Sequence, residues 1–326
     1  FFDTLDTQIT DFMFTLRGPE DSSGAIVIVD IDERSLRDYG QWPWPRDLVG
    51  ELSKSIIASE PIAVGFDLMF AEKDRCSPAA FIHRYGQPEN KSVKGHEELF
   101  GIRLPEAHDT DSNLGKILEN SHFVQGYRFL FREDFEKNEV NTPSFINKLI
   151  ISNPEVQFDE VQLISAYRPI LNIPEIRAGG REGFLNLFHD NSGTVRKSPL
   201  YLLLDNVPYP SLTMAMFQSV NQNEVPTLHL VNEKDAKYFG VESITLGAKK
   251  FKTDAFGQLN INFRGPSNTF LYFSASDILD GSATPFVKGK YVLIGSTASG
   301  SIDLIPTPFS SRIPGVEIHA NSLDNL

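Results

Sequence analysis

Acidic and hydroxyl residues stand at the ends of three apolar runs in this chain. Asp30 and Asp32 close the run 25–31 (AIVIVDI), Asp67 lies near the end of 62–69 (IAVGFDLM), and Ser296 and Thr297 follow 291–294 (YVLI). Asp303 comes a few residues later, and His319 lies in the last stretch with helical character. If the three runs are neighbouring strands, four carboxylates and one imidazole converge beyond their carboxyl ends, where open parallel sheets collect ligands. Such a set could hold a hard divalent cation, and the imidazole would bias it toward Mn²⁺ or Zn²⁺. The same residues commonly cap loops and helix amino ends instead. Capping is the reading these positions favour by themselves; a polar site for a small molecule or ion is the alternative, with no resident metal and no cofactor.

The segment Trp42-Pro43-Trp44-Pro45-Arg46 is the most distinctive run. Alternating prolines stiffen it and the indoles carry large apolar area, so it suits a plug over one end of a sheet or an aromatic ligand wall. Arg46, just inside a helix, is expected to reach Asp32 or Asp67. Other motifs fail on spacing. The run from Asp109 begins like a calcium loop, but Gly115 falls at the seventh place and Asn120 at the twelfth, where Gly at the sixth and Glu are needed. Gly295 to Gly300 has phosphate-loop glycine spacing, but Ser301 stands where Lys is required. Cys76, the single cysteine, sits in a polar stretch with nothing to activate a thiolate. His83, His96, His108, His122, His189 and His229 follow no ligand spacing and read as surface or core residues.

The elements that position these residues follow from apolar patterning. The runs 25–31, 62–69 and 291–294 are short, continuous and rich in β-branched residues, as strands buried on both faces require. Leu48, Val49, Leu52, Ile56 and Ile57 mark one face of a helix that begins near Pro45 and crosses between the first two strands, making a βαβ unit. The stretch between the first strand and Pro45 reads as a loop. Leu5, Ile9, Phe12 and Leu16, flanked by Met13, give an amphipathic helix over 1–17 that Gly18-Pro19 ends. It either packs on its own domain or forms a stalk pairing with a partner chain. Further helices are expected at 113–120, at 211–220 with Ser211 as cap, and at 316–326, with a strand at 123–131. Runs 184–188 and 200–204 bracket a turn at 190–193 and read as a hairpin, residues 226–273 as a β-rich region, and 71–108 as an insertion or long loop. The fold class is therefore α/β: a mostly parallel central sheet flanked by helices on both faces, with a β-rich subregion and a long insertion.

The chain has 326 residues, 30 basic against 43 acidic side chains and a net charge of −13. That surface repels phosphate backbones, so nucleic acid is not an expected partner. No apolar stretch reaches the ~20 residues of a membrane helix. The sequence opens on Phe1-Phe2, and any anchor is expected to lie outside it.

Taken in order, the runs IVIVDIDERSL (26–36), GQWPWPR (40–46), AVGFDLMF (63–70), EGFLN (182–186), GTVRKSPL (193–200), INFRGP (261–266), GKYVLIGSTASGSIDLIPTP (289–308) and PGVEIHANSLDNL (314–326) resemble the CHASE type-2 domain. That resemblance implies an extracytoplasmic sensory module, joined to the cytoplasmic membrane through flanking helices. Output domains such as a nucleotide cyclase or histidine kinase follow inside. It also implies that residues 1–18 are a stalk-like helix preceding a sensor domain over 19–326, in a homodimer, with no catalysis by this domain itself. Asp30, Asp32, Asp67, Ser296, Thr297, Asp303 and His319 fall inside the matching runs, as do Trp42, Trp44 and Arg46, and all are candidate ligand contacts. Two other functions remain open on the sequence: a ligand-independent dimerisation module, and a metal-dependent hydrolase using the strand-end acids.

Overall fold

The computed structural model describes residues 2–77, 109–119, 122–131, 142–143, 149–177, 180–231, 239–298 and 304–326. Its centre is a seven-stranded sheet. The strands of this sheet, numbered in chain order, are β1 (Ile26–Ile31), β2 (Ala63–Phe66), β3 (Phe123–Leu130), β4 (Arg168–Ile170), β5 (Arg181–Phe184), β6 (Leu271–Ser274) and β7 (Tyr291–Ser296). Their spatial order is β6-β1-β7-β2-β3. Beyond β3, β5 pairs in parallel with its first half and β4 runs antiparallel to its last three residues. All other pairings in the sheet are parallel. The expected βαβ unit is present, but β7 inserts between its two strands.

The helices are α1 (Phe2–Arg17), α2 (Glu33–Tyr39), α3 (Arg46–Ala58), α4 (Thr110–Leu118), α5 (Pro174–Arg177), α6 (Leu212–Val220), α7 (Ala275–Leu279) and α8 (Gly315–Asp324). Alternate strand residues feed two cores, as period-two geometry dictates. Ile26, Ile28, Ala63 and Leu293 pack on Met214, Ala215 and Met216 of α6 and on Val316 and Ala320 of α8. Val29, Ile31, Val64, Phe66, Val292 and Ile294 pack on α3, α4 and α7 through Leu52, Ile56, Leu114 and Ile278. Both faces are covered, which is why these strands carry no polar alternation. Two glycines let helices rest on the sheet backbone. A Cβ at Gly65 would lie 2.3 Å from Sδ of Met216, and one at Gly295 would lie 2.7 Å from Cβ of Val316.

Three expectations change. The stretch read as a loop before Pro45 contains α2, begun by the side chain of Asp32, which accepts from the amide of Ser35 at 2.8 Å. The flanks of the 190–193 turn do not pair with each other. The first lies beside β3, while Tyr201–Leu204 forms its hairpin with Val207–Pro210. The turn of that hairpin is Asp205-Asn206, both at positive φ, the left-handed pair that a two-residue hairpin favours. Part of 226–273 forms a separate sheet, Lys249–Lys252, Gly240–Leu246 and Thr227–Val231, which Ile150–Ile151 joins from earlier in the chain, but Leu271–Ser274 leaves it to become the edge strand β6. Of the proposed insertion, only 71–77 is among the described residues.

Helix α1 lies against the body through its polar residues. Asp11 pairs with Arg196 at 2.6 Å, and Arg17 donates to Asn262 and to the carbonyl of Phe263. Phe14 adds edge contacts with Phe263 and Phe309. Ile9, Phe12, Met13 and Leu16 are left 56%, 65%, 63% and 75% exposed.

Candidate functional site

The strand-end acids separate into different tasks. Asp30, at the end of β1, is buried and accepts from the amide of Thr297 at 2.8 Å and from its hydroxyl. Burial raises its pKa to about 6 despite those two bonds, and the charge of Asp32 raises it further. Asp32 leaves the strand and caps α2. It accepts from Ser35 Oγ at 2.7 Å and Ser274 Oγ at 2.8 Å besides the Ser35 amide, and these bonds outweigh desolvation and hold its carboxyl below the usual range. Thr297 is tied to Asp30, and Ser296 Oγ donates to the carbonyl of Ile31 at 2.9 Å. Asp303 lies outside the described residues.

Arg46 does not reach Asp32 or Asp67. It begins α3 with its side chain buried, and pairs through Nε with Asp111 Oδ1 at 3.1 Å. Asp111 caps nothing on the calcium pattern; it sits in the first turn of α4, whose cap is Asp109. Around the ion pair, Arg46 Nη2 donates to the carbonyl of Glu72 at 2.7 Å, and the Arg46 amide to Asp74 at 3.1 Å. Thr110 donates to Asp74 at 2.7 Å, and the Asp74 amide to Asp111 at 3.0 Å. The guanidinium lies over the ring of Phe70, 4.7 Å from its centroid. Trp44 is fully buried and donates to the carbonyl of Gly40 at 2.8 Å, so it is the plug expected of it. Trp42 packs tilted against Trp44 and is partly exposed.

Trp42 also lines a cavity of about 290 Å³ at the carboxyl edge of the sheet. Asp67 reaches it from the end of β2, Ser296 from the end of β7, Arg128 from β3 and His319 from α8; His189 and Gly315 also line it. So three expected residues, Asp67, Ser296 and His319, do converge, with Trp42 beside them. His319 is buried at 3% exposure, with Nε2 3.7 Å from Asp67 Oδ1. Its Nδ1 has no hydrogen-bond partner. Burial, with a smaller contribution from the charge of Arg128, lowers its pKa to about 4, so the ring is neutral at pH 7. Asn186 also lines the space, but its amide is occupied by both backbone groups of Phe129, at 2.7 and 2.9 Å, and fixes the end of β3.

Arg128 and His189 escaped sequence reasoning. Arg128 is the one exposed residue in the buried run of β3 up to Phe129, a break in pattern that could have marked it. His189 gave no such sign, since only the fold brings it to the cavity. Among the described residues no group of three His, Cys, Asp or Glu side chains could hold a metal ion. Among the same residues no helix is long and apolar enough to cross a membrane. Among the described residues the cavity is a small polar chamber lined by one carboxylate, one guanidinium, two imidazoles, one hydroxyl and one side-chain amide.

Searches among curated proteins and among solved structures found no match. A family model does match: the CHASE2 domain model covers residues 1–326. The whole chain thus belongs to the CHASE2 domain family, sensory domains of bacterial signalling receptors.

Proposed function

We propose that this domain receives an extracytoplasmic cue in the cavity at the carboxyl edge and passes it to membrane helices on its flanks. Those helices would control an internal output domain such as a nucleotide cyclase or histidine kinase. The observation that carries the reading is the convergence of Asp67, Ser296 and His319 on one cavity, with a buried imidazole nitrogen left unpartnered. A sensor must bind its cue differently in two conformations, or nothing is transmitted. Contiguous hydrogen bonds lead from the cavity toward α1. The amino end of α8 lines the cavity, while Asn321, Asp324 and Asn325 near its other end bind Asn262 and Arg264. Arg17 of α1 is anchored on that same segment. Residues 1–18 act in this reading as a stalk and 19–326 as the sensor. The experiment is a melting-temperature screen of small polar compounds against the wild type and His319→Gln. At a hundredfold excess over Kd, ligand adds about 2.7 kcal/mol of stability, and the variant should lose that gain. A ligand whose stabilisation survives His319→Gln would place the site elsewhere.

The exposed apolar face of α1 favours a second role, pairing with a second copy of the chain. A dimer that forms equally well in every ligand condition, with no compound shifting the melting temperature, would make dimerisation the whole function. The hydrolase alternative has less support, because Asp30 and Asp32 are engaged with Thr297, Ser35 and Ser274.

A further inference from the structure

The segment that follows β5 leads from the cavity to α1. Leu187 and His189 line the cavity, and the next residue, Asp190, closes a tight turn. Its carboxylate accepts from the amides of Ser192 and Thr194 at 2.9 and 3.2 Å and from Ser192 Oγ at 2.6 Å. Its own amide donates to the carbonyl of Thr194 at 3.0 Å, and Gly193 donates to its carbonyl at 2.9 Å. So many bonds within five residues make the turn move as a unit.

Arg196, two residues past that turn, holds its guanidinium between two carboxylates from different elements. Nε and Nη2 donate to the two oxygens of Asp11 on α1, at 2.9 and 2.6 Å. Nη1 donates to Asp190 and, at 3.0 Å, to Ser192 Oγ. The Arg196 side chain is only 13% exposed. Two parallel bonds to one carboxylate fix the orientation of a guanidinium, which sets α1 against the turn at a defined angle. Apolar packing follows the same line. Val195, Ile261, Phe263 and Ile305 belong to one small cluster, with Leu187 and Phe14 of α1 packed against it. Leu187 and Ile305 also line the cavity, so this cluster borders both the cavity and α1.

Resting on the reading of the cavity as the sensory site and α1 as the stalk, we propose that Arg196 is the residue that couples them. It is a positioning residue, acting through Asp190 on one side and Asp11 on the other. Displacement of the wall at Leu187 and His189 moves the turn, and the guanidinium carries that movement to α1. The route through α8 ends on Arg17 instead, about 9 Å further along the helix axis. Movement at one grip and not the other tilts α1.

The test is hydrogen–deuterium exchange of the whole chain, read on α1 and on the turn, where the amides of Asp190, Ser192, Gly193, Thr194 and Val195 are hydrogen-bonded. Wild type, Asp11→Asn, Arg196→Gln and His189→Ala are compared, with circular dichroism to confirm folding. Asp11→Asn alters no residue of the turn or the cavity. It is nevertheless expected to raise exchange about tenfold at 190–195 as well as in α1, because a charge-assisted bond is lost at the clamp. Arg196→Gln is expected to raise exchange in both places, and His189→Ala, made at the cavity wall, to raise it in α1. An Asp11→Asn effect confined to α1 overturns the coupling. So does wild-type exchange of α1 in either His189→Ala or Arg196→Gln. If Arg196→Gln fails to fold, the other two variants decide alone. Coupling in both directions while no compound stabilises the cavity retains the Arg196 clamp and removes the sensory cavity. A compound that stabilises through His319, while Asp11→Asn leaves the turn unchanged, removes the clamp alone.

Discussion

Trp42 separates two groups of charged side chains that the protein treats in opposite ways. On one side, Arg46, Asp111, Asp74 and Thr110 close on one another, each carboxylate receiving at least two donors. On the other, Asp67, Arg128 and His319 stand around open space, with an imidazole nitrogen unsatisfied. Both groups lie near the carboxyl edge of the same sheet. The difference teaches that strand-end charge has no single meaning in this fold. Where the charges close on one another they fix the loops and helix starts; elsewhere they line a cavity. A buried ion pair with satisfied hydrogen bonds is tolerated because desolvation is offset locally. An orphaned imidazole is tolerated because it stays neutral.

The largest expected effect is on the closed side. Asp111→Ala leaves the buried guanidinium of Arg46 without its carboxylate and should destabilise by about 3–5 kcal/mol, read from urea unfolding. A loss below about 1 kcal/mol would mean that the cluster is no more structural than the open side.

Next comes a pair of opposed pH effects. The folded pKa of Asp30, about 6, lies above its ordinary 3.8. The folded state therefore holds this proton more tightly, and stability falls as pH rises from 4 to 6. His319 runs the other way: its folded value of about 4 lies below 6.5, so stability present above pH 6.5 is lost as pH falls toward 4. Each amounts to about 3 kcal/mol at full extent, and the two largely cancel in the wild type. Asp30→Asn should therefore make the protein markedly more acid-sensitive, and His319→Gln less so, in unfolding midpoints measured from pH 4 to 7. Parallel pH profiles for the two variants would break the assignment.

Arg128→Gln, on the open side, should change stability by no more than about 1 kcal/mol, because an exposed charge contributes little to folding. A loss comparable to that of Asp111→Ala would erase the contrast. Smallest of all, Leu16→Ser on the exposed face of α1 should leave the melting temperature within about one degree, the usual outcome at such a surface position. It should nevertheless weaken self-association in sedimentation velocity if α1 pairs with a second copy.

Local signals in the sequence carried much of the fold. The β-branched runs became β1, β2 and β7, and Ser211 capped α6 as its position suggested. They also carried part of the site, since Asp67, Ser296 and His319 sit at strand and helix positions that a parallel sheet brings to one edge. What was illegible depended on long-range pairing. Arg46 and Asp111 are 65 positions apart, and neither spacing nor type says that they will meet before Arg46 meets Asp67. Arg128 reaches the cavity only because β3 lies beside β2 in a fixed register. The false hairpin at 184–204 arose because a turn can be read locally while the partner of each flank cannot.

The bare α-carbon of Gly295 has a mechanical meaning. With no side chain between Gly295 and Val316, the first turn of α8 rests directly on the backbone of β7, without a compressible layer at that point. Ten residues make the helix a rod about 15 Å long, with its front end at the cavity and its rear gripping the segment that anchors Arg17. A ligand that nudges the front cannot be absorbed by side-chain rearrangement under the first turn, so the shift must travel along the rod. One methyl added at position 295 would meet Val316 and lift the rod, moving the cavity wall that Val316 and His319 form along with it.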